Sequence, residues 1–295
     1  MTNLFTTYYN ENNRERAEEL RTCLIKNLNC EWISKVYVLS EIGIDKFLSQ
    51  LNVNVITISR RPTYNDFIRN VNRVSGDNDI NIISNSDIYF DETLNIIKDL
   101  NIKKNCFALT RWDILSDRRA RLTEISGSQD CWIFQGKINH VKGEINLGVP
   151  GCDNRIAYEI EQAGYLITNP SISIKSYHLH KSNYRSNEYI WYSQNYSVGG
   201  NYKFLVPDTI YNVLKDNFKS TTFSMNLPDQ LYRKKIERWY KYKKYQKRAQ
   251  NSKNKVFILK TFVLYTKCFY YKIPIIKLVL ILFYHKYYTN NILRN

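Results

Sequence analysis

The sequence predicts an α/β domain, a mostly parallel sheet flanked by helices, with a basic helical extension at its C-terminus. Three observations lead there. Over roughly the first 180 residues, short apolar runs alternate with stretches of helical periodicity, the mark of βαβ units. A balance of 43% apolar and 24% charged residues over 295 positions belongs to a chain that buries a core. It excludes wholesale disorder, a collagen-like chain and a disulfide-scaffold mini-protein. Charge, finally, is segregated. Residues 231–295 hold 17 Lys/Arg and one acid, Glu237, while residues 1–230 hold 26 basic and 26 acidic residues, so the net charge of +16 resides in the tail.

The elements follow in order. Leu4 to Tyr8 reads as a strand. Asn12 and Asn13 are candidate N-caps for a helix with Ala17, Leu20, Leu24 and Leu28 on one face. Val36–Leu39 is a second strand and Val53–Ile58 a third. Thr63 and Asp66 form a capping-box pattern, with Asp in place of Glu, opening a helix to about Val74. Ile80–Ile83 is a fourth strand. Asp91 caps a helix with Leu94, Ile97 and Leu100 inward. After Cys106–Leu109 the pattern becomes less regular; Cys131–Phe134 reads as a short buried strand, and Gly148–Gly151 as a turn. Asp153–Ala163 is helical, with Ile156, Ala157, Ile160 and Ala163 on one face and Gly164 at C′. Tyr165–Thr168 and Ser171–Tyr177 read as strands leading into His178-Leu179-His180. Residues 182–230 are aromatic-rich and weakly periodic, and no repeat is visible.

In parallel sheets ligands bind at the carboxyl ends of strands. Several polar groups fall there. Asn85-Ser86-Asp87 follows the fourth strand, where a carboxylate can reach a divalent cation bridging two phosphates; the bland alternative is a turn. His178 and His180 stand two apart, on one side of a strand, as paired imidazole ligands or as one packed and one solvated histidine. Asp153 at a helix start reads either as an N-cap or as a general base. Asp130, in Ser126-Gly127-Ser128-Gln129-Asp130, ends a small loop able to pass close to a ligand, and is otherwise an ordinary turn residue. Arg60 and Arg61, after the third strand, are placed to clamp phosphate or to be a solvated basic turn.

The order of these features is similar to that of GT-A-fold glycosyltransferases. More closely, the chain resembles bacterial family 2-like glycosyltransferases of polysaccharide clusters over about residues 4–184. The stretches that carry the resemblance are Phe5–Tyr9, Arg60–Tyr64, Asn85–Phe90, Ala108–Asp113, Gly127–Asp130, Gly148–Asn154 and Ser176–His180. The resemblance implies a nucleotide-sugar donor, a glycan or lipid-linked acceptor and a divalent metal, Mn²⁺ or Mg²⁺. Asp87 is then the metal-binding carboxylate, with His178 or His180 matching the terminal histidine. Asn85 takes the place of the first acid of the DxD motif, a weaker neutral ligand. Asn85, Asp87, Arg60, Arg61 and Asp130 fall at the nucleotide-diphosphate site. Asp153 matches the catalytic base, although Gly-Cys-Asp replaces the usual acidic motif. Inversion at the anomeric carbon follows if Asp153 is the base.

The expected organisation is a catalytic domain over 1–184, a connecting segment over 185–230 and a basic tail over 231–295. Residues 231–255 interleave 11 basic residues with Tyr232, Trp239, Tyr240, Tyr242 and Tyr245. Residues 256–285 are apolar but interrupted by Lys260, Lys267, Lys272, Lys277 and Pro274, too broken for a spanning helix of about 20 apolar residues. The tail is therefore expected either at an anionic membrane surface, with its lysines snorkelling, or against the body as ordinary helices. Nucleic acid is not the expected partner, since the body is neutral. Six scattered cysteines without a C-x-x-C pair, and an opening segment unlike a signal peptide, place the chain in the cytoplasm, peripheral to the membrane if the tail binds it. Two rival functions share these residues. One is a metal-dependent phosphoester hydrolase using Asp87, Asp153 and the histidines. The other is a non-catalytic adaptor of the same fold, binding membrane or nucleic acid through its basic tail.

Overall fold

The computed structural model describes residues 1–117, 119–123, 128–182, 184 and 198–214. The expected tail and most of the connecting segment lie outside these residues. A seven-stranded sheet has the order β10-β6-β9-β4-β1-β2-β3. Its strands are β1 (Thr2–Tyr8), β2 (Lys35–Ser40), β3 (Asn54–Thr57), β4 (Ile80–Ser84), β6 (Asn105–Leu109), β9 (Cys131–Gln135) and β10 (Leu166–Thr168). Every pairing is parallel except those of β9, which runs antiparallel between β4 and β6. The expected mostly parallel sheet is thus present. The reversal of β9 is new, because a short all-apolar strand buried on both faces looks the same in either direction.

Helix α1 (Arg14–Leu28) lies on one face, and α2 (Tyr64–Val74) and α3 (Cys152–Gln162) on the other. Strand alternation feeds both faces. Leu4, Val38, Ile82, Phe107 and Ile133 join one apolar cluster with Leu24 of α1. Phe5, Leu39, Ile83, Ala108 and Trp132 join the other, with Phe67 and Val71 of α2 and Ile156 and Ile160 of α3. Leu205 completes the second cluster, and Ile210 and Leu214, at the one-turn helix α4 (Ile210–Val213), complete the first. A smaller sheet, ordered β5-β11-β7-β8, comprises β5 (Ile88–Phe90), β7 (Trp112–Ile114), β8 (Ala120–Leu122) and β11 (Ser176–His178).

Local signals explain most boundaries. Asn13 is the N-cap of α1, its side chain accepting from Arg16 N, which decides between the two candidates. The Thr63–Asp66 capping box forms in both directions. Asp91 accepts from Thr93 N, but the element it opens, Glu92–Asp99, is a 3-10 helix. The inward residues Leu94, Ile97 and Leu100 recur every third position, the period of that helix. Ser171–Tyr177 is not one strand. Ser173 N and Ile174 N donate back to Pro170 O in a turn, and pairing begins only at Ser176.

The buried stripe of α1 also differs from the apolar one. Arg16, Glu19 and Asn27 are buried beside Leu20, Cys23 and Leu24. Each polar member is satisfied. Asn27 Nδ2 donates to Ile88 O at 2.8 Å and Asn27 Oδ1 accepts from Phe90 N at 3.1 Å, so α1 holds the backbone of β5.

Candidate active site

A cleft of about 790 Å³ opens at the carboxyl ends of the parallel strands, where such sheets place ligands. Its walls come from segments that the sheet brings together. Ser84 of β4 pairs with Cys131 of β9, so Asn85, leaving β4, lies beside Asp130, entering β9. Asn85 N donates to Asp130 O at 3.0 Å, and Asn85 Nδ2 to Asp130 Oδ1, also at 3.0 Å. Asp130 N donates to Leu109 O at the end of β6, drawing Arg111 in, and Arg111 Nη1 reaches Asp130 Oδ1 at 3.4 Å. The antiparallel β9 therefore joins three strand ends at one point.

Asp87 is central to the cleft. Its Oδ2 accepts from Arg16 Nη2 at 2.5 Å and from His178 Nε2 at 3.2 Å. Arg16, buried in α1, also donates to Glu19 Oε2 at 3.0 Å and to Leu179 O at 2.9 Å. Glu19 in turn accepts from Ser182 N and Oγ, so α1 pins the segment that carries both histidines. Burial opposes ionisation of Asp87, but His178 and Arg16 outweigh it and hold the carboxyl far below the ordinary range. For His178, burial disfavours the cation, yet the Asp87 charge and a hydrogen bond to Asp113 push its pKa up to about 9. His180 Nε2 donates to Tyr184 O at 2.8 Å, and its ring centroid lies 5.5 Å from that of His178.

Asp153 has different surroundings. It occupies the second position of α3, not the N-cap; the N-cap is Gly151, with φ +83, where a Cβ would meet the Tyr202 ring at 3.2–3.4 Å. The N-cap reading of Asp153 is thereby corrected. Asp153 Oδ1 accepts from the Cys152 thiol at 3.2 Å, and no cation among the described residues pairs with it. Burial and the neighbouring Asp130 charge push its carboxyl up to about 8. A proton acceptor poised near neutrality, beside a pinned carboxylate, is the arrangement general base chemistry uses.

Of the residues singled out from the sequence, Asn85, Asp87, Arg61, Asp130, Asp153 and His178 line the cleft. Arg61 lies against the Gly148 turn, where a Cβ would come within 2.8 Å of its Nη2. Arg60 does not line the cleft. Its guanidinium binds Asp66 at 2.8 and 3.2 Å, anchoring the α2 capping box, so the first arginine of the pair is structural. His180 lies outside the lining, although Asp87, His178 and His180 each offer a ligand atom within 4.8 Å of the others. Sequence reasoning missed Arg16, Arg111 and Asp113. Arg16 carried one usable signal, a charge on the inward stripe of an amphipathic helix.

One carboxylate and two imidazoles form a mixed oxygen and nitrogen donor set. Held within 4.8 Å, it fits a borderline cation such as Mn²⁺ better than Mg²⁺, which prefers oxygen alone. Among the described residues no helix is long and apolar enough to cross a membrane.

No protein-family model matches the chain, and no curated protein does. Among solved structures it is similar to the mannosyltransferase PcManGT from Pyrobaculum calidifontis in complex with GDP-Man and Mn²⁺, at 15% identity and TM-score 0.39, over 57% of this chain and 54% of that one. It is also similar to TarS of S. aureus, at 11% identity and TM-score 0.42, over 82% of this chain and 43% of that one. A third is the nucleotidyl transferase Mth528 from Methanothermobacter thermautotroptrophicus, at 14% identity and TM-score 0.30, over 44% and 70%. The chain spans about half the length of the mannosyltransferase and less than half that of TarS. These likenesses concern the α/β fold over part of each chain.

Proposed function

We propose that this protein is a glycosyltransferase that moves a sugar from a nucleotide-diphosphate donor to a hydroxyl of a glycan or lipid-linked acceptor. The observation that carries the reading is the meeting, in one cleft, of Asp87 and His178, which form a cation-capable trio with His180 just outside the lining, and Asp153, a carboxylate with no ion-pair partner among the described residues. Arg16, Arg61 and Arg111 add positive charge to the walls, as a diphosphate requires.

Asp87, His178 and His180 would hold a divalent cation, which when bound supplies positive charge to the departing diphosphate. The chain's own residues do the rest. Asp153, as the carboxylate, takes the proton of the acceptor hydroxyl. The acceptor oxygen bonds to the anomeric carbon as the bond from that carbon to the diphosphate oxygen breaks, which inverts the centre. Asn85 and Arg111 hold Asp130 in place, and Asp130 keeps the Asp153 carboxyl basic. In this reading residues 1–184 contain the donor site and catalytic groups, 185–230 connect, and 231–295 bring the enzyme to an anionic membrane surface on the cytoplasmic side, where surface polysaccharide is assembled.

Thermal unfolding against UDP, GDP, CDP and TDP, each with and without Mn²⁺, tests it. A ligand at about 100 times its dissociation constant adds about 2.7 kcal/mol, a shift of a few degrees. One diphosphate should stabilise the protein in the presence of Mn²⁺ and fail to do so for Asp87→Ala. Stabilisation by none of the four in the wild type would overturn the reading.

A further inference from the structure

His178 meets a second carboxylate on its other edge. Its Nδ1 lies 2.9 Å from Asp113 Oδ1, while Nε2 lies 3.2 Å from Asp87 Oδ2, the place of the proton depending on the tautomer. The contact is built into the sheet, since β11 pairs with β7 in parallel and His178 and Asp113 are register partners. Asp113 is itself immobilised. Thr123 Oγ1 donates to its Oδ2 at 2.6 Å, and Arg111 Nε donates to its Oδ1 at 3.0 Å. Thr123 N donates to Arg111 O at 3.0 Å, which closes the group. Asp113 does not line the cleft, and its oxygens are engaged by three donors, so it faces no ligand of its own.

An imidazole gives a metal one deprotonated nitrogen, and the partner of the other nitrogen decides which one is left. Two carboxylates flank the two ring nitrogens of His178 and compete for the one N–H of the neutral ring. Asp87 belongs to the cation-capable trio and faces the cleft. Asp113 stands outside both and is held by its own donors, so it keeps its proton partner whatever enters the cleft.

We propose that Asp113 is a positioning residue for the Asp87–His178–His180 cation site, holding a proton on His178 Nδ1 and turning the Nε2 lone pair towards Asp87 and the cleft. This rests on the reading of that trio as a cation site. Thr123 and Arg111 act one step further out, by orienting the carboxylate of Asp113.

Two measurements on the full chain, without nucleotide, test it. Calorimetric titration with Mn²⁺ alone should give a dissociation constant raised roughly 10–100-fold in Asp113→Ala, with a smaller rise in Thr123→Val. Melting temperature without metal should stay close to the wild type, which separates positioning from folding. The second measurement is ¹⁵N NMR of the neutral His178 imidazole without metal. It should show the Nδ1–H tautomer in the wild type and the Nε2–H tautomer in Asp113→Ala. Should the alanine variant fail to fold, Asp113→Leu, which offers His178 Nδ1 no acceptor, serves for both readouts. An unchanged tautomer in a folded variant, or a Mn²⁺ affinity within about threefold of wild type where outer partners normally matter tenfold or more, overturns the proposal. A wild-type protein with no Mn²⁺ affinity overturns the cation-site reading instead, and the tautomer still decides the role of Asp113.

Discussion

Asp130 and Asp153 face the same cleft, and their neighbours set them apart. Asp130 is enclosed by Arg111, Asn85 and Ser128, at 3.4, 3.0 and 3.4 Å. Asp153 has burial and the field of Asp130, which push its carboxyl up to about 8 against the opposing hydrogen bond from the Cys152 thiol. A base works only in its ionised form, so activity should rise with pH through about 8 and level off above it. The same shift acts on stability in the opposite direction. In the unfolded chain an aspartate ionises near 3.9. Between that value and about 8 the unfolded state therefore binds fewer protons than the folded one, and stability falls as pH rises across the window. Asp153→Asn removes that penalty. The variant should melt higher than wild type at pH 8, and the two should converge near pH 4, while turnover falls by about 10²–10⁴-fold, the usual worth of a positioned base. Melting curves at the two pH values and a rate measurement at pH 8 check all three.

At the scale of elements, α1 matters as much for the site as for the core. Its polar stripe reaches Asp87 through Arg16, the His178–Ser182 segment through Glu19, and β5 through Asn27. Asn27→Ala would leave the Ile88 carbonyl and the Phe90 N–H without their partner, at a cost of about 1–3 kcal/mol. Urea unfolding should show that loss, and β5 starts at the residue after Asp87, so the Mn²⁺-dependent nucleotide shift should weaken as well. This stripe also marks what could be read in advance. The strands β1, β2, β4 and β9, the Asn13 cap, the Thr63–Asp66 box and the positive-φ Gly164 after α3 each follow from local signals. So does the cluster of Asn85, Asp87, Asp130, Asp153 and His178 at strand ends and a helix start. What stayed hidden depended on partners distant in sequence. Arg16 meets Asp87 71 positions away, and Asp113 meets His178 65 positions away. The direction of β9, which brings Asp130 to Asn85, is a matter of pairing that no run of apolar residues encodes.

The molecule as a whole separates two kinds of charge. Within residues 1–230 basic and acidic groups balance, and the cleft uses its own in short, buried contacts such as Arg16–Asp87 at 2.5 Å. Such contacts respond little to salt. Residues 231–295 carry 17 Lys/Arg against one acid, a density of unbalanced charge suited to an anionic surface, where each basic residue near the membrane contributes about 1 kcal/mol. If the tail supplies membrane attraction and the body supplies chemistry, salt should divide the two functions. The full chain should sediment with vesicles containing phosphatidylglycerol and not with neutral phosphatidylcholine vesicles. Binding should fall steeply between about 0.05 and 0.5 M salt, as the screening length shrinks to a few ångströms. Stabilisation by nucleotide and Mn²⁺ should change far less over the same range, because its contacts lie within the cleft. Equal binding to neutral vesicles, or binding indifferent to salt, would assign the attraction to apolar residues, among them those between the lysines of 256–285, and would remove the electrostatic role of the tail.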